Sequence, residues 1–148
     1  MNLERYEYVI SRNFQEYSFE SSGPKGIFKK KISFLLINTG GLTYFHLGFG
    51  DLDENGDIDD LAVSNNKDTE KILSTVAMAV LELLKHFPDM AVYAEGSTPA
   101  RTRLYQISIA KYLDTISSLV SIYGLMNDSW EVFEKNVSYD AFLVVRKK

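Results

Sequence analysis

Alternation dominates the first fifty residues. "RYEYVIS" and "EYSFES" carry aromatic and β-branched residues at nearly every second position, the period of a strand with one buried face. "IFKKKISFLLI" follows as a long strand and "LTYFHLGFG" as another. In the latter, Phe45, Leu47 and Phe49 share one face, while Tyr44, His46 and Gly48 share the other. "GPKG", Gly23 to Gly26, and "NTGG" supply the proline and glycines that turns require. Connections this short make antiparallel pairing the economical arrangement.

The period changes near Lys67. "DTEKILSTVAMAVLELLKHF" places Ile72, Val76, Ala79, Val80, Leu83 and Leu84 on one stripe, which predicts an amphipathic helix. Asn66 or Asp68 can cap its start, and Pro88 enforces its stop. "MAVYAE" is a short strand that leads through "GSTP" into a second helix, from Ala100 to about Val120. Its stripe is Tyr105, Ile109, Tyr112, Ile116 and Val120. "SWEVFEKNVSYDAFLVVRKK" predicts two closing strands around a turn at Lys135 and Asn136. With no repeat and no linker, the expectation is one α+β domain over residues 1–148, a mostly antiparallel sheet with two helices packed on one face.

Composition narrows the chemistry. The chain has 148 residues, enough for a single sizeable core, and its 45% hydrophobic and 13% aromatic content is that of a folded protein. It has no cysteine, which removes disulfides, thiolate metal sites and cysteine nucleophiles and suits the cytoplasm. "MNLERYEYV" holds no apolar signal core, and no run reaches membrane-spanning length. A soluble, cytoplasmic domain is expected. The net charge of −4 argues against broad nucleic-acid binding while leaving room for a local basic patch.

"DLDENGDIDD", Asp51 to Asp60, matches the opening positions of an EF-hand loop. The twelfth position, however, is Ala62 rather than a bidentate carboxylate, and the preceding segment is a strand. A hairpin between "YFHLGFG" and "DLAVS" is the preferred reading, with Asn55-Gly56 supplying the positive φ angles. No metal or cofactor is expected.

"EGSTPARTRLY", Glu95 to Tyr105, is the segment with most to offer. Thr98 stands where an N-cap belongs and Pro99 suits the first helical position. A helix start favours anions, yet Arg101 and Arg103 occupy the first turns. Helical spacing puts Arg101 on the inward face with Tyr105 and Arg103 nearly opposite. An inward guanidinium needs a partner. An internal ion pair with Glu95, Asp68, Glu131 or an aspartate of the acidic turn is favoured over a bound anion. Ser97, Thr98 and Arg101 are nonetheless the first candidates for ligand contact, with Tyr105 and His46 beside them; Ser64 to Asn66 either caps a helix or lines the same pocket.

"SNNKDTEKILSTV", "GSTPARTRLYQISI", "IYGL" and "WEVFEKNVSYDAFLVVRKK" together resemble an uncharacterised bacterial domain family of similar length. The resemblance runs from about Gly50 to the C-terminus and is most specific in "GSTPARTRLY". It implies a bacterial single-domain protein and brings no assigned activity and no catalytic residues.

Other constellations are weaker. His86 in a last helical turn fits dipole and capping preferences, and two histidines are few for a hydrolytic or metal site. "GSTPA" lacks the second glycine of a nucleophile elbow. Asp89 and Glu95 could pair as nuclease carboxylates, but Ser97 stands where that motif needs lysine. Lys29-Lys30-Lys31 and Arg146-Lys147-Lys148 read as solvated, edge-protecting charge. Two functions survive. The preferred one is a binding or interaction domain that grips an anionic small molecule or a partner protein at Ser97–Arg101. The alternative is an enzyme acting on a phosphate-containing substrate or RNA, such as a small toxin-like nuclease, with Arg101 as anion clamp and His46 or Tyr105 in proton transfer. Oligomeric state is not legible.

Overall fold

A computed structural model describes residues 4–59 and 66–147. In chain order the elements are β1 (Val9–Ile10), β2 (Glu16–Gly23), β3 (Gly26–Thr39), β4 (Leu42–Leu52), β5 (Ile58–Asp59), α1 (Thr69–His86), β6 (Ala91–Ala94), α2 (Pro99–Ile116), β7 (Val120–Met126), β8 (Ser129–Val132) and β9 (Ala141–Arg146). One nine-stranded sheet holds all the described strands in the order β1-β2-β3-β4-β6-β9-β7-β8, with β5 also beside β4. Every pairing is antiparallel except β4 with β6, which the α1 crossover makes parallel. The fold is α+β, as the periodicity predicts.

Turn chemistry sets the register. Thr39 pairs with Leu42 across Gly40 and Gly41, whose φ angles of 56° and 81° make the two-residue turn that matches strand twist. Asn127 and Asp128, at φ 51° and 62°, do the same between β7 and β8. The acidic stretch is a hairpin turn, but not the expected Asn-Gly one. Gly56 takes a positive φ of 80° while Asn55 does not, and Gly56 N–H donates to the Asp53 carbonyl at 3.1 Å. The Asp53 carboxylate accepts the N–H groups of Asn55 and Asp57 at 2.8 and 2.9 Å, so the second of the EF-hand-like ligand positions is engaged by the loop's own backbone. Beyond Asp59 the second arm, with Ala62, Ser64 and Asn65, lies outside the described residues.

Cross-strand register brings Tyr17, Ile32, Phe34, Phe45, Leu47, Val92, Val144 and Ile122 to one face. These residues are buried, and both helices lie over them: Val76, Ala79, Val80, Leu83 and Leu84 of α1 and Ile116 of α2 join the same core. The first-helix stripe is therefore the one read from sequence. Among the described residues no helix covers the opposite face, which carries Leu35, Tyr44, His46, Tyr93, Leu143 and, on β8, Trp130 and Val132.

Four expectations are corrected. The second helix ends at Ile116, and Val120 opens β7, a strand the periodicity of the helical stripe had absorbed. Ser117 and Ser118 turn their hydroxyls back to the Asp114 and Thr115 carbonyls at 3.4 and 3.2 Å, competing with further helix. The closing strands do not form a hairpin around Lys135 and Asn136; both pair with β7, and β9 inserts between β7 and β6. The connection is gripped from α2 by Gln106, whose amide donates to the Val137 carbonyl and accepts Tyr139 N–H at 3.1 Å. Asp68 sits at the N-cap of α1 but makes no side-chain cap bond. Its carboxylate instead accepts the hydroxyls of Tyr6 and Ser21, while Asn66 accepts Lys25 N–H at 2.8 Å, fastening the β2–β3 hairpin to the helix start. Lys30 is no solvated edge charge: β3 is central, and Lys30 is 5% exposed and ion-paired with Asp51 directly across on β4.

Candidate functional site

Parallel β4 and β6 are paired only at Phe45 with Val92 and His46 with Tyr93. Beyond those positions β6 ends at Ala94 and the chain leaves through Glu95 and Gly96 for α2, whereas β4 runs on to Leu52. The two strands thus part at their carboxyl ends. A gap of this kind in an open sheet, closed on one side by a helix start, is where such folds form ligand crevices.

The cleft there has a volume of about 460 Å³. His46, Gly48 and Leu35 line it from the sheet, Tyr93 and Glu95 from the end of β6, and Ser97, Arg101 and Tyr105 from the start of α2. Of the five residues singled out in the sequence, His46, Ser97, Arg101 and Tyr105 come together; Thr98 does not line the cleft. It caps α2 instead, its hydroxyl accepting Arg101 N–H at 3.2 Å. The loop is held from the helix as well, because Gly96 N–H donates to the hydroxyl of buried Thr102 at 3.0 Å. Two of the donors at this helix start are therefore spent inside the fold, leaving the Arg101 side chain as the main cationic feature.

Helical phase behaves as the spacing requires: Arg101 is half-buried and Arg103 exposed. Three of the carboxylates considered as its partner each accept a tyrosine or serine hydroxyl. Glu95 accepts the Tyr93 hydroxyl at 2.6 Å, Asp68 accepts from Tyr6 and Ser21, and Glu131 accepts the Tyr139 hydroxyl at 2.8 Å. Ser97, Arg101 and Tyr105 each have an interaction of their own, so a ligand would share these side chains with the fold.

Tyr93 and Glu95 were not singled out as cleft residues, though alternation in "MAVYAEG" puts Tyr93 opposite buried Val92 and Ala94. The Tyr93 ring is 5.3 Å from His46, edge-on, and about 6 Å from both Tyr44 and Trp130. Burial, and then the hydrogen bond to Glu95, push its hydroxyl well above the usual tyrosine range, so it is held as a donor. His46 itself is exposed. Elsewhere, His86 stacks on Phe14 at 3.8 Å between ring centres and lies 3.8 Å from Glu82. Among the described residues no group of three or more histidine, aspartate or glutamate side chains is placed to hold a metal. Among the described residues no helix is long and apolar enough to cross a membrane.

Burial also raises Tyr6, Tyr8, Tyr17 and Tyr139 above the ordinary value of 10.0. An unfolded chain releases these protons near pH 10 while the folded one retains them, so their contribution is complete below pH 10 and is lost as pH rises through the folded values. The urea midpoint should accordingly fall above pH 10. Tyr17→Phe, which removes a buried hydroxyl with no hydrogen-bond partner among the described residues, should lessen that fall and leave neutral-pH stability unchanged or slightly higher. Equal alkaline slopes for both proteins would contradict the assignment.

A sheet with both helices on one face and a cleft of mixed polar and apolar lining where its parallel strands part defines an α+β domain with a crevice of small-molecule size. The chain belongs to the family of unknown function DUF6934, which it matches over residues 2–147. No curated protein and no solved structure matches it.

Proposed function

We propose that the protein is a binding domain whose cleft takes a small phosphate-bearing anion, with Arg101 as its principal contact. The supporting observation is convergence: Arg101 and Ser97 at the start of α2 and His46 on β4 line one crevice of ligand size. A planar guanidinium suits two oxygens of a phosphate at once. The same reading places the protein in the bacterial cytoplasm, on the strength of the segment resemblance and the cysteine-free chain. A second reading, an enzyme acting on a phosphate-containing substrate, draws on one feature. His46 stands exposed in the same cleft beside the Tyr93–Glu95 pair, where an imidazole could transfer a proton.

Thermal unfolding in millimolar phosphate or pyrophosphate tests the anion. The unmodified protein should melt higher, and added potassium chloride should erode the gain. Arg101→Lys should lose most of the gain and Arg103→Ala none of it. Without ligand, Arg101→Ala should cost about 1–2 kcal/mol and exposed Arg103→Ala less than about 0.5 kcal/mol. No shift for the unmodified protein removes the anion site. Phosphate release from a nucleotide or phosphomonoester, abolished by His46→Ala, would establish the enzymatic reading instead.

A further inference from the structure

We infer that the cleft, if it holds phosphate as proposed above, takes it as part of a single nucleotide whose base lies against the aromatic side chains of the helix-free face. That face and the cleft are continuous, since Leu35, His46 and Tyr93 belong to both. From Tyr93 the aromatic surface extends to Tyr44 at 6.0 Å and to Trp130 at 6.1 Å, with Trp130 43% exposed and Leu35 63% exposed beside them. One exposed ring, Trp130, beside the half-buried rings of Tyr93 and Tyr44 gives a base a surface to stack on.

The remaining parts of a nucleotide find matching chemistry in the same crevice. Arg101 supplies the cation for the phosphate. Glu95, whose Oε1 accepts from Tyr93, keeps lone pairs on its exposed carboxylate for hydroxyl donors such as those of a ribose. A carboxylate in an anion-binding cleft is unfavourable for inorganic phosphate alone, but it suits a ligand carrying both an anion and a diol. Between these groups the floor is low, formed by Gly48 and the Ser33 hydroxyl beside it. Gly48 on β4 lines the cleft with no side chain, and its φ lies outside the left-handed region, so space rather than backbone conformation is what glycine provides there. A net charge of −4 favours one nucleotide over a longer polyanion.

Trp130 is the one tryptophan of the chain, so its fluorescence reports this face alone. Titration with AMP should change Trp130 emission, and AMP should bind about tenfold more tightly than ribose 5-phosphate, the margin a stacked base contributes. Inorganic phosphate should bind without changing Trp130. His46→Ala and Gly48→Val should remove the AMP advantage. The Trp130→Ala protein should keep its affinity for phosphate while losing the AMP advantage, and circular dichroism of the Gly48→Val protein separates a blocked floor from a failed fold. Equal affinities for AMP and ribose 5-phosphate, with silent Trp130, would overturn the base site while leaving the phosphate reading intact. Absence of binding by phosphate, ribose 5-phosphate and AMP alike would remove both. Sedimentation showing a dimer that already shields Trp130 from acrylamide would also overturn it, assigning the face to a second copy.

Discussion

Gly124→Ala should destabilise the fold by about 3 kcal/mol, and Gly124→Val should prevent folding at ordinary temperatures. Gly124 lies in β7 between Glu131 of β8 and Phe142 of β9, so its backbone is fixed on both sides. A β-carbon there would come within 2.3–2.5 Å of three atoms of the Tyr139 ring. That ring cannot withdraw. It packs 5.4 Å from Phe133 and 6.2 Å from Phe142, its hydroxyl donates to Glu131 and accepts Glu134 N–H at 3.0 Å, and its own N–H is held by Gln106. An aromatic ring laid over a strand glycine is thus the joint that ties the 133–139 connection, α2 and the closing strands together. Denaturant unfolding of Gly124→Ala beside Gly48→Ala, where the nearest atom is a serine hydroxyl at 3.1 Å, gives the contrast. Comparable losses at the two positions would show that the Tyr139 ring yields.

Sequence periodicity made the sheet-forming half and α1 legible because each has one buried face. Tyr17 and Phe19, Ile32 and Phe34, and Phe45 and Leu47 alternate without interruption, and the α1 stripe keeps its helical spacing to Leu84. The same logic failed after Ile116. Val120 falls four residues beyond Ile116 and continues the helical stripe numerically, yet it also begins the alternation Val120, Ile122, Gly124 that β7 buries. One position satisfied both periods, and partners far along the chain decided between them. Lys30 was illegible for a related reason: three consecutive lysines look solvated, but a strand must send the middle one inward, where the Asp51 opposite pairs with its charge.

The candidate cleft was half legible. Arg101, Ser97 and Tyr105 are near neighbours on a helix start, so spacing alone groups them. His46 joins them because β4 and β6 are parallel and part after two paired positions, a property of topology that no local pattern carries. Sequence spacing suits Glu95 to a salt bridge or a metal carboxylate; the structure makes it the acceptor for Tyr93. Thr98 has the features of a ligand contact and of a cap, and the cap takes it.

Gly96→Ala should cost about 2–3 kcal/mol and abolish anion binding even though every proposed contact side chain remains. A β-carbon at position 96 would meet Thr102 N at 2.4 Å and the Arg101 β-carbon at 2.6 Å. The first of these is backbone, so rotating a side chain cannot relieve it; the first turn of α2 must move away from the end of β6. Movement there breaks the bond that ties the loop to the helix, Gly96 N–H to the Thr102 hydroxyl. It also carries Arg101 away from His46, since the guanidinium rides on the displaced turn. The β6–α2 connection is in this sense the positioning element of the cleft, and glycine is required for close approach rather than for an unusual φ. Ser97→Ala, which alters an exposed side chain and no backbone, should change stability by less than about 0.5 kcal/mol. Thermal unfolding of both variants with and without phosphate separates the roles. A Gly96→Ala protein that melts with the unmodified one and still gains from phosphate would show that α2 is free to shift without loss.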